Sequence, residues 1–296
     1  MKENTMDITE QQEVFEFTSI GEIVNQTLQK NIEMDNTPNG LSTGFSEIDK
    51  ITSGLQKGQL VTIAVRPGMG KTAFLLSMTN NIAIKNGHSV AIFSSERSSQ
   101  KITNRIIESE TGMSIGKLRN IDVELYKKDH LYKTISNIAK AKIYLDDSPN
   151  LSSDDLKSKS RKLKFNYNVE LIIIDYLELL RTGYGDNNNR EEQLNTIVHT
   201  IKSIAKEINV PIVLFSQLQG YGLEYNMLQN PSIKDIPVFL SELSDVVMFL
   251  YRKNFINKPS REDENVEMIL AKYNNQNHNT VVPLKYIERI AKFADS

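Results

Sequence analysis

The chain has 296 residues, of which 39% are hydrophobic and 24% charged, with 35 Lys and Arg against 37 Asp and Glu for a formal charge of -2. That balance excludes a global basic field for nucleic acid, so any polyanion site must be local. The lack of cysteine excludes disulfides, thiolate metal sites and cysteine nucleophiles, and agrees with a reducing compartment. No apolar run is long enough to span a bilayer and no signal-peptide pattern is visible, so a cytoplasmic protein without membrane contact is expected.

In chain order, residues 1–17 are polar and acidic without clean periodicity, and are expected to form a mobile tail. An amphipathic helix is predicted over 18–34. Ser19 and Glu22 have capping-box spacing, and Ile20, Ile23, Val24, Leu28 and Ile32 recur at helical intervals. DNTPNG separates this helix from the next segment, so its apolar stripe has to bury either on its own domain or on a neighbouring subunit. Residues 35–296 read as one α/β domain. Strands are predicted at 60–65, in SVAIFSS, KIYLDD, LIIIDY and VPIVLFS, with helices from Lys71 to about Asn86, on to about 140, and over 152–166 and 190–208. Such alternation means a mostly parallel sheet flanked by helices. VVMFLY, VEMILAKY and TVVPLKYI come last, separated by polar turns, and are expected to finish the sheet as antiparallel strands. The basic run Lys157, Lys159, Arg161, Lys162 and Lys164 reads as a solvated helix face. His88, His130, His199 and His278 have no metal-ligand spacing.

The chemistry concentrates in LVTIAVRPGMGKTAF. A strand ends in Arg66, Pro67, Gly68, Met69 and Gly70, and Lys71-Thr72 opens a helix. That corner aims backbone N–H groups and a positive helix end at anionic oxygens. Lys71 can reach the terminal phosphates of a nucleotide, and Thr72 can hold Mg²⁺. The one departure from G-x-x-x-x-G-K-[ST] is Val65 in the first position. LIIIDY delivers Asp175 to the carboxyl end of a buried strand, placed to steady the Mg²⁺. Glu96 closes AIFSSE, where a carboxylate can orient water against a γ-phosphate, and Gln217 closes VPIVLFSQ, where an amide can sense that phosphate.

LSTGFSEIDKITSGLQKGQLVTIAVRPGMGKTAF, AIFSSE, KIYLDDSP, LIIIDYLELL, NVPIVLFSQL and SDVVMFLYR resemble, in order and spacing, the RecA-like P-loop motor domain of DnaB-type replicative helicases. FTSIGEIVNQTLQKNIE is similar to the linker helix of that family. The N-terminal primase-binding domain has no counterpart in this sequence. The resemblance implies an ATP-driven hexameric ring that hydrolyses nucleotide at subunit interfaces and draws single-stranded DNA through its centre, with the linker helix docked on the adjacent subunit. It also assigns the phosphate loop to Lys71 and Thr72, the water-activating acid to Glu96, the Mg²⁺ acid to Asp175 and the γ-phosphate sensor to Gln217.

Four departures fall at interface or DNA positions. Where the family carries Lys-x-Arg-Asn-Gly, whose Lys and Arg reach a neighbour's site, this chain has Lys272 but Asn274 in place of the arginine. Arg252 in FLYRK is a candidate replacement, with a surface arginine as the alternative. The DNA-facing stretch reads KDIPVFLSELSD, with Asp235 kept and Pro237, Val238 and Phe239 replacing polar residues. Gln219-Gly220 stands for Ser-Arg, and Arg97 for a methionine after Glu96. Two functions fit these residues best, a DnaB-like ATP-dependent DNA helicase motor or a weakened ATP-binding relative that docks on a replicative helicase as loader, decoy or inhibitor; SGLQKGQL also permits a RecA-like recombination or regulatory ATPase, which the flanking motifs do not support.

Overall fold

The computed structural model describes residues 19–21, 24, 40–120, 129–182, 189–218, 229–253, 264–274 and 276–296. The chain divides into two compact units, 1–37 and 38–296. In the first, Ile20, Gly21 and Val24 are helical; the expected acidic tail and the rest of the amphipathic stripe lie outside the described residues.

In the second unit the elements are α1 (Ser46–Thr52), β1 (Leu60–Val65), α2 (Lys71–Thr79, continued as a π-helical turn Asn80–Lys85), β2 (Val90–Ser94), α3 (Ser99–Thr111) and α4 (Ile115–Arg119). Next come α5 (Asp129–Lys140), β3 (Ile143–Asp146), α6 (Ser153–Tyr167), β4 (Leu171–Asp175), α7 (Arg190–Ile208) and β5 (Ile212–Gln217). The chain finishes with α8 (Val238–Leu243), β6 (Val246–Tyr251), β7 (Glu264–Tyr273), β8 (Gln276–Ile287) and β9 (Lys292–Asp295).

Nine strands form one sheet in the order β3-β2-β4-β5-β1-β6-β7-β8-β9. β1 pairs in parallel with β5 on one edge and β6 on the other, and β2 pairs in parallel with β3 and β4. β7, β8 and β9 continue antiparallel. VVMFLY therefore departs from the antiparallel expectation. As β6 it runs with β1 and is the last parallel strand, because α8 and the turn before it return the chain to the same end of the sheet as a crossover does.

The continuous apolar runs predicted as central strands are buried along their full length in β1, β2 and β4, as strands covered on both faces require. α7 covers the sheet with Ile197, Val198, Ile201, Ile204, Ala205 and Ile208, all buried on one stripe. α2 is different, since every residue from Thr72 to Thr79 is buried. Its outer side is roofed by β9. There Phe293 N donates to Ser77 Oγ at 2.8 Å, and the Phe293 ring meets Phe74 edge-on at 5.6 Å. The C-terminal strand thus clamps the helix that opens at the phosphate loop.

Removing that clamp leaves a cavity that the helix cannot easily collapse into. Phe293→Ala is expected to cost about 3–5 kcal/mol of unfolding free energy in urea titration, with Phe293→Leu costing markedly less.

Candidate active site

β1, β2, β4 and β5 all end at the same edge of the sheet, and the chain beyond each borders a cleft of roughly 380 Å³ or the acids beside it. Arg66, Pro67, Gly68, Gly70, Lys71, Thr72, Glu96 and Gln217 line the cleft, together with Arg97, Arg105 and Tyr286. Gly70 sits at φ +96°, and a Cβ there would lie 3.0 Å from the Phe293 ring, so glycine is required both for the turn and for the approach of the roof. The Met69 side chain is buried away from the cleft, while its N–H donates to Arg66 O at 3.2 Å. Arg66 donates to Gln229 O at 2.9 Å, and its guanidinium lies over the Tyr251 ring at 5.7 Å.

Lys71 is the electrostatic centre. Its Nζ is 2.8 Å from Glu96 Oε2 and 2.8 Å from Asp175 Oδ1, and it stands 3.4 Å above the Tyr176 ring. Asp175 is 2% exposed. Burial lifts its carboxyl above the usual range, with Lys71 pulling the other way. Its Oδ1 accepts no well-directed hydrogen bond. A buried carboxylate paired with Lys71, together with the Thr72 hydroxyl, is a hard-oxygen pair of the kind Mg²⁺ takes. Among the described residues no cluster of three or more His, Asp or Glu could hold a metal, so protein ligation of that ion would rest on Thr72 and Asp175.

Glu96 lies beyond β2 rather than at its end, since the strand stops at Ser94; its placement against Lys71 is unaffected. Gln217 ends β5, and its N–H donates to both carboxylate oxygens of Glu178 at 3.2 Å. Ser216 Oγ donates to the same group at 2.6 Å. Reading LIIIDYLELL as a strand with one terminal acid misses Glu178; an acid three residues past Asp175 in an apolar run is the available signal. Burial raises its carboxyl above the usual range, and the hydrogen bonds oppose this.

Lys272 and Arg252 are not among the lining residues. Lys272 Nζ donates to the carbonyls of Ser241, Glu242 and Ser244 at 2.7, 3.2 and 2.8 Å, closing the C-terminal end of α8, and burial lowers its pKa. Asn274 is exposed at the β7–β8 turn with φ +49°. Arg252 is not a surface arginine. It is 8% exposed, donates to Glu264 Oε2 at 2.7 and 3.0 Å, reaches Glu288 at 3.3 Å and stacks at 4.4 Å on Tyr286. In the stretch expected to face DNA, Pro237 precedes α8, where no helical hydrogen bond calls for an N–H. Phe239 packs on the core, while Val238 is 69% exposed. Gln219 and Gly220 lie outside the described residues.

A mostly parallel sheet whose first strand ends in a phosphate loop, with one acid just beyond β2, a second ending β4 and an amide ending β5, defines a RecA-like nucleotide-binding domain of the P-loop class. Residues 40–295 match the family model described as DnaB-like helicase C terminal domain, and the chain belongs to that family. The replicative DNA helicase DnaB of Geobacillus stearothermophilus is 33% identical over 98% of this chain. The replicative DNA helicase DnaC of Bacillus subtilis (strain 168) is 30% identical over 98% of it. The chain spans 64% of the length of each of these relatives. Among solved structures, the ATPase domain of G40P superposes with a TM-score of 0.83 at 27% identity, covering 95% of this chain and all of that one. A DnaB-like replicative helicase described with its primase interactions gives 0.80 at 28%, covering 95% of this chain and 68% of that one.

The partly buried Glu178 and the buried Glu264 make this geometry testable. Because the folded state holds the Glu178 proton more tightly than the unfolded chain, the resulting stabilisation is complete at low pH and is lost as pH rises through the raised value. The melting temperature of Glu178→Gln relative to wild type should therefore be higher at about pH 8 than at about pH 5; an equal difference at both would show that the carboxyl is not responsible. Arg252→Ala strands the Glu264 charge in the interior and should cost about 3–5 kcal/mol in denaturant titration.

Proposed function

We propose that this chain is an ATP-hydrolysing motor domain of a DnaB-type DNA helicase, working as a ring of identical subunits on single-stranded DNA during replication. The observation that carries the reading is the convergence of Lys71, Thr72, Glu96, Asp175 and Gln217 at one cleft on the carboxyl edge of a RecA-like sheet. Membership of the family and whole-chain similarity to replicative helicases support it.

In this reading the N–H groups of Gly68 and Gly70, with the N-terminal end of α2, receive the phosphate chain of ATP. Lys71 exchanges its two carboxylates for the β- and γ-phosphate oxygens. Thr72 and Asp175 would hold Mg²⁺, which would supply charge neutralisation of the phosphates. Glu96, released from Lys71, takes a proton from the attacking water. Gln217 hydrogen-bonds the γ-phosphate, and through its main-chain bond to Glu178 the end of β5 is held against the turn after β4. The amphipathic helix at 18–34 packs its stripe on the adjacent subunit. Lys272 serves a neighbouring site in the family pattern; in this chain it must first leave the carbonyls of α8. A role as loader, decoy or inhibitor is the less favoured reading, since the cis acids and the phosphate loop are complete.

ATP turnover with and without single-stranded DNA tests the proposal. Wild type should hydrolyse ATP faster with DNA. Glu96→Ala should lose about 10²–10⁴ in kcat with nucleotide affinity retained, whereas Lys71→Ala should lose affinity as well. Retained nucleotide binding without any DNA stimulation would remove the motor reading.

A further inference from the structure

Arg97 puts a guanidinium inside the cleft, one residue after the acid proposed to activate water. Its Nε donates to Thr72 Oγ1 at 3.3 Å, its Nη2 is 3.8 Å from Glu96 Oε1, and it borders the cleft with Lys71 and Gln217. The backbone on either side is pinned. Arg97 N–H donates to Ser94 Oγ at 3.3 Å, Ser98 caps α3, and Ser99 N–H donates to Asp147 Oδ2 at 2.7 Å. The side chain can therefore swing while its base stays put.

The other cations near the site are placed differently. The Arg66 guanidinium is directed at Gln229 O, and Arg105, which also lines the cleft, is shared with an adjoining one bordered by Glu288 and Arg289. On the β7–β8 hairpin, Lys272 is bound to three carbonyls of its own subunit, and position 274 is a neutral asparagine.

Resting on the nucleotide-hydrolysis reading, we infer that Arg97 is an arginine finger acting in cis: it contacts the γ-phosphate of the nucleotide in its own subunit and neutralises the charge that a residue at position 274 does not. Two contacts hold Arg97 in place, and loading the site weakens both. The Thr72 hydroxyl, if engaged by a divalent cation, would no longer be open to the Arg97 guanidinium, and Glu96 turns to its water. The nearest uncompensated anion is then the γ-phosphate, lying between Lys71 and Gln217. In the reaction, the water oxygen bonds to the γ-phosphorus, the bond from phosphorus to the β–γ bridging oxygen breaks with its electrons leaving on ADP, and Glu96 takes the water proton. Arg97 transfers nothing. Its planar fork matches the equatorial oxygens as charge spreads over them, which a lysine cannot reproduce.

The test uses the full chain with Arg97→Ala and Arg97→Lys, beside Lys71→Ala. Turnover is read together with binding of a fluorescent ATP analogue and trapping of ADP with aluminium fluoride, a mimic of the transferred phosphoryl group. Arg97→Ala is expected to lower kcat by about 10²-fold or more, to leave analogue affinity within about threefold (about 0.7 kcal/mol), and to abolish fluoride trapping, with Arg97→Lys recovering little of either. Mixing Arg97→Ala with Glu96→Gln distinguishes cis from trans: a cis finger leaves the mixture inactive, and restored turnover would overturn the inference. Unchanged kcat and intact trapping in Arg97→Ala would overturn it too. Failure of the parent reading looks different, because wild type itself would then bind no analogue, or Lys71→Ala would turn over normally.

Discussion

The whole arrangement hangs on β1 being paired on both edges. A strand with β5 on one side and β6 on the other has no freedom of position, and its six buried residues hold it against slippage, because a shift of one residue would exchange its two faces. Asp245 adds a lock at its start, accepting from Leu60 N–H at 2.7 Å while paired to Lys202. The phosphate loop is simply where that strand has to end, and α2 starts there because Gly70 can take a left-handed conformation. Every side chain proposed for catalysis is placed relative to this corner.

Around the corner the cleft is balanced internally. Three carboxylates, Glu96, Asp175 and Glu178, lie near the Lys71 ammonium and the Arg97 guanidinium, with Arg66 and Arg105 also on the cleft wall, and the two more buried of these acids have their pKa values raised by burial. Each cation is bound to groups that a loaded site would claim: Lys71 by the two acids, Arg97 by the Thr72 hydroxyl. A magnesium nucleotide brings its own anions and its own cation, so the internal pairs can exchange for external ones with little change in net charge. On the proposed reading, that exchange is the reason for keeping acids in the interior that are unfavourable to the folded state.

Beyond β5, the residues that stand out against the family pattern have local employment. Lys272 closes α8, Arg252 neutralises Glu264 beneath Tyr286, and Phe239 packs inward. Lys272 ties the β7–β8 hairpin to the C-terminal end of α8. A hairpin so anchored, with a neutral residue at its tip, gives physical sense to a cation supplied from within the subunit.

Strand positions, phosphate loop and acids were legible from the chain alone, because each leaves a local mark: an apolar run long enough to be buried on both faces, a Gly-Lys-Thr at a helix start, a carboxylate closing a strand. Lys71, Thr72, Glu96, Asp175 and Gln217 carry such marks. The direction of β6, the burial of Arg252, the anchoring of Lys272 and the bond from Gln217 to Glu178 carried none. They depend on which distant segments the sheet brings together, since a residue's ion-pair partner and burial are set by packing between elements far apart in sequence. Periodicity says which face is apolar; only the closed sheet decides what that face meets.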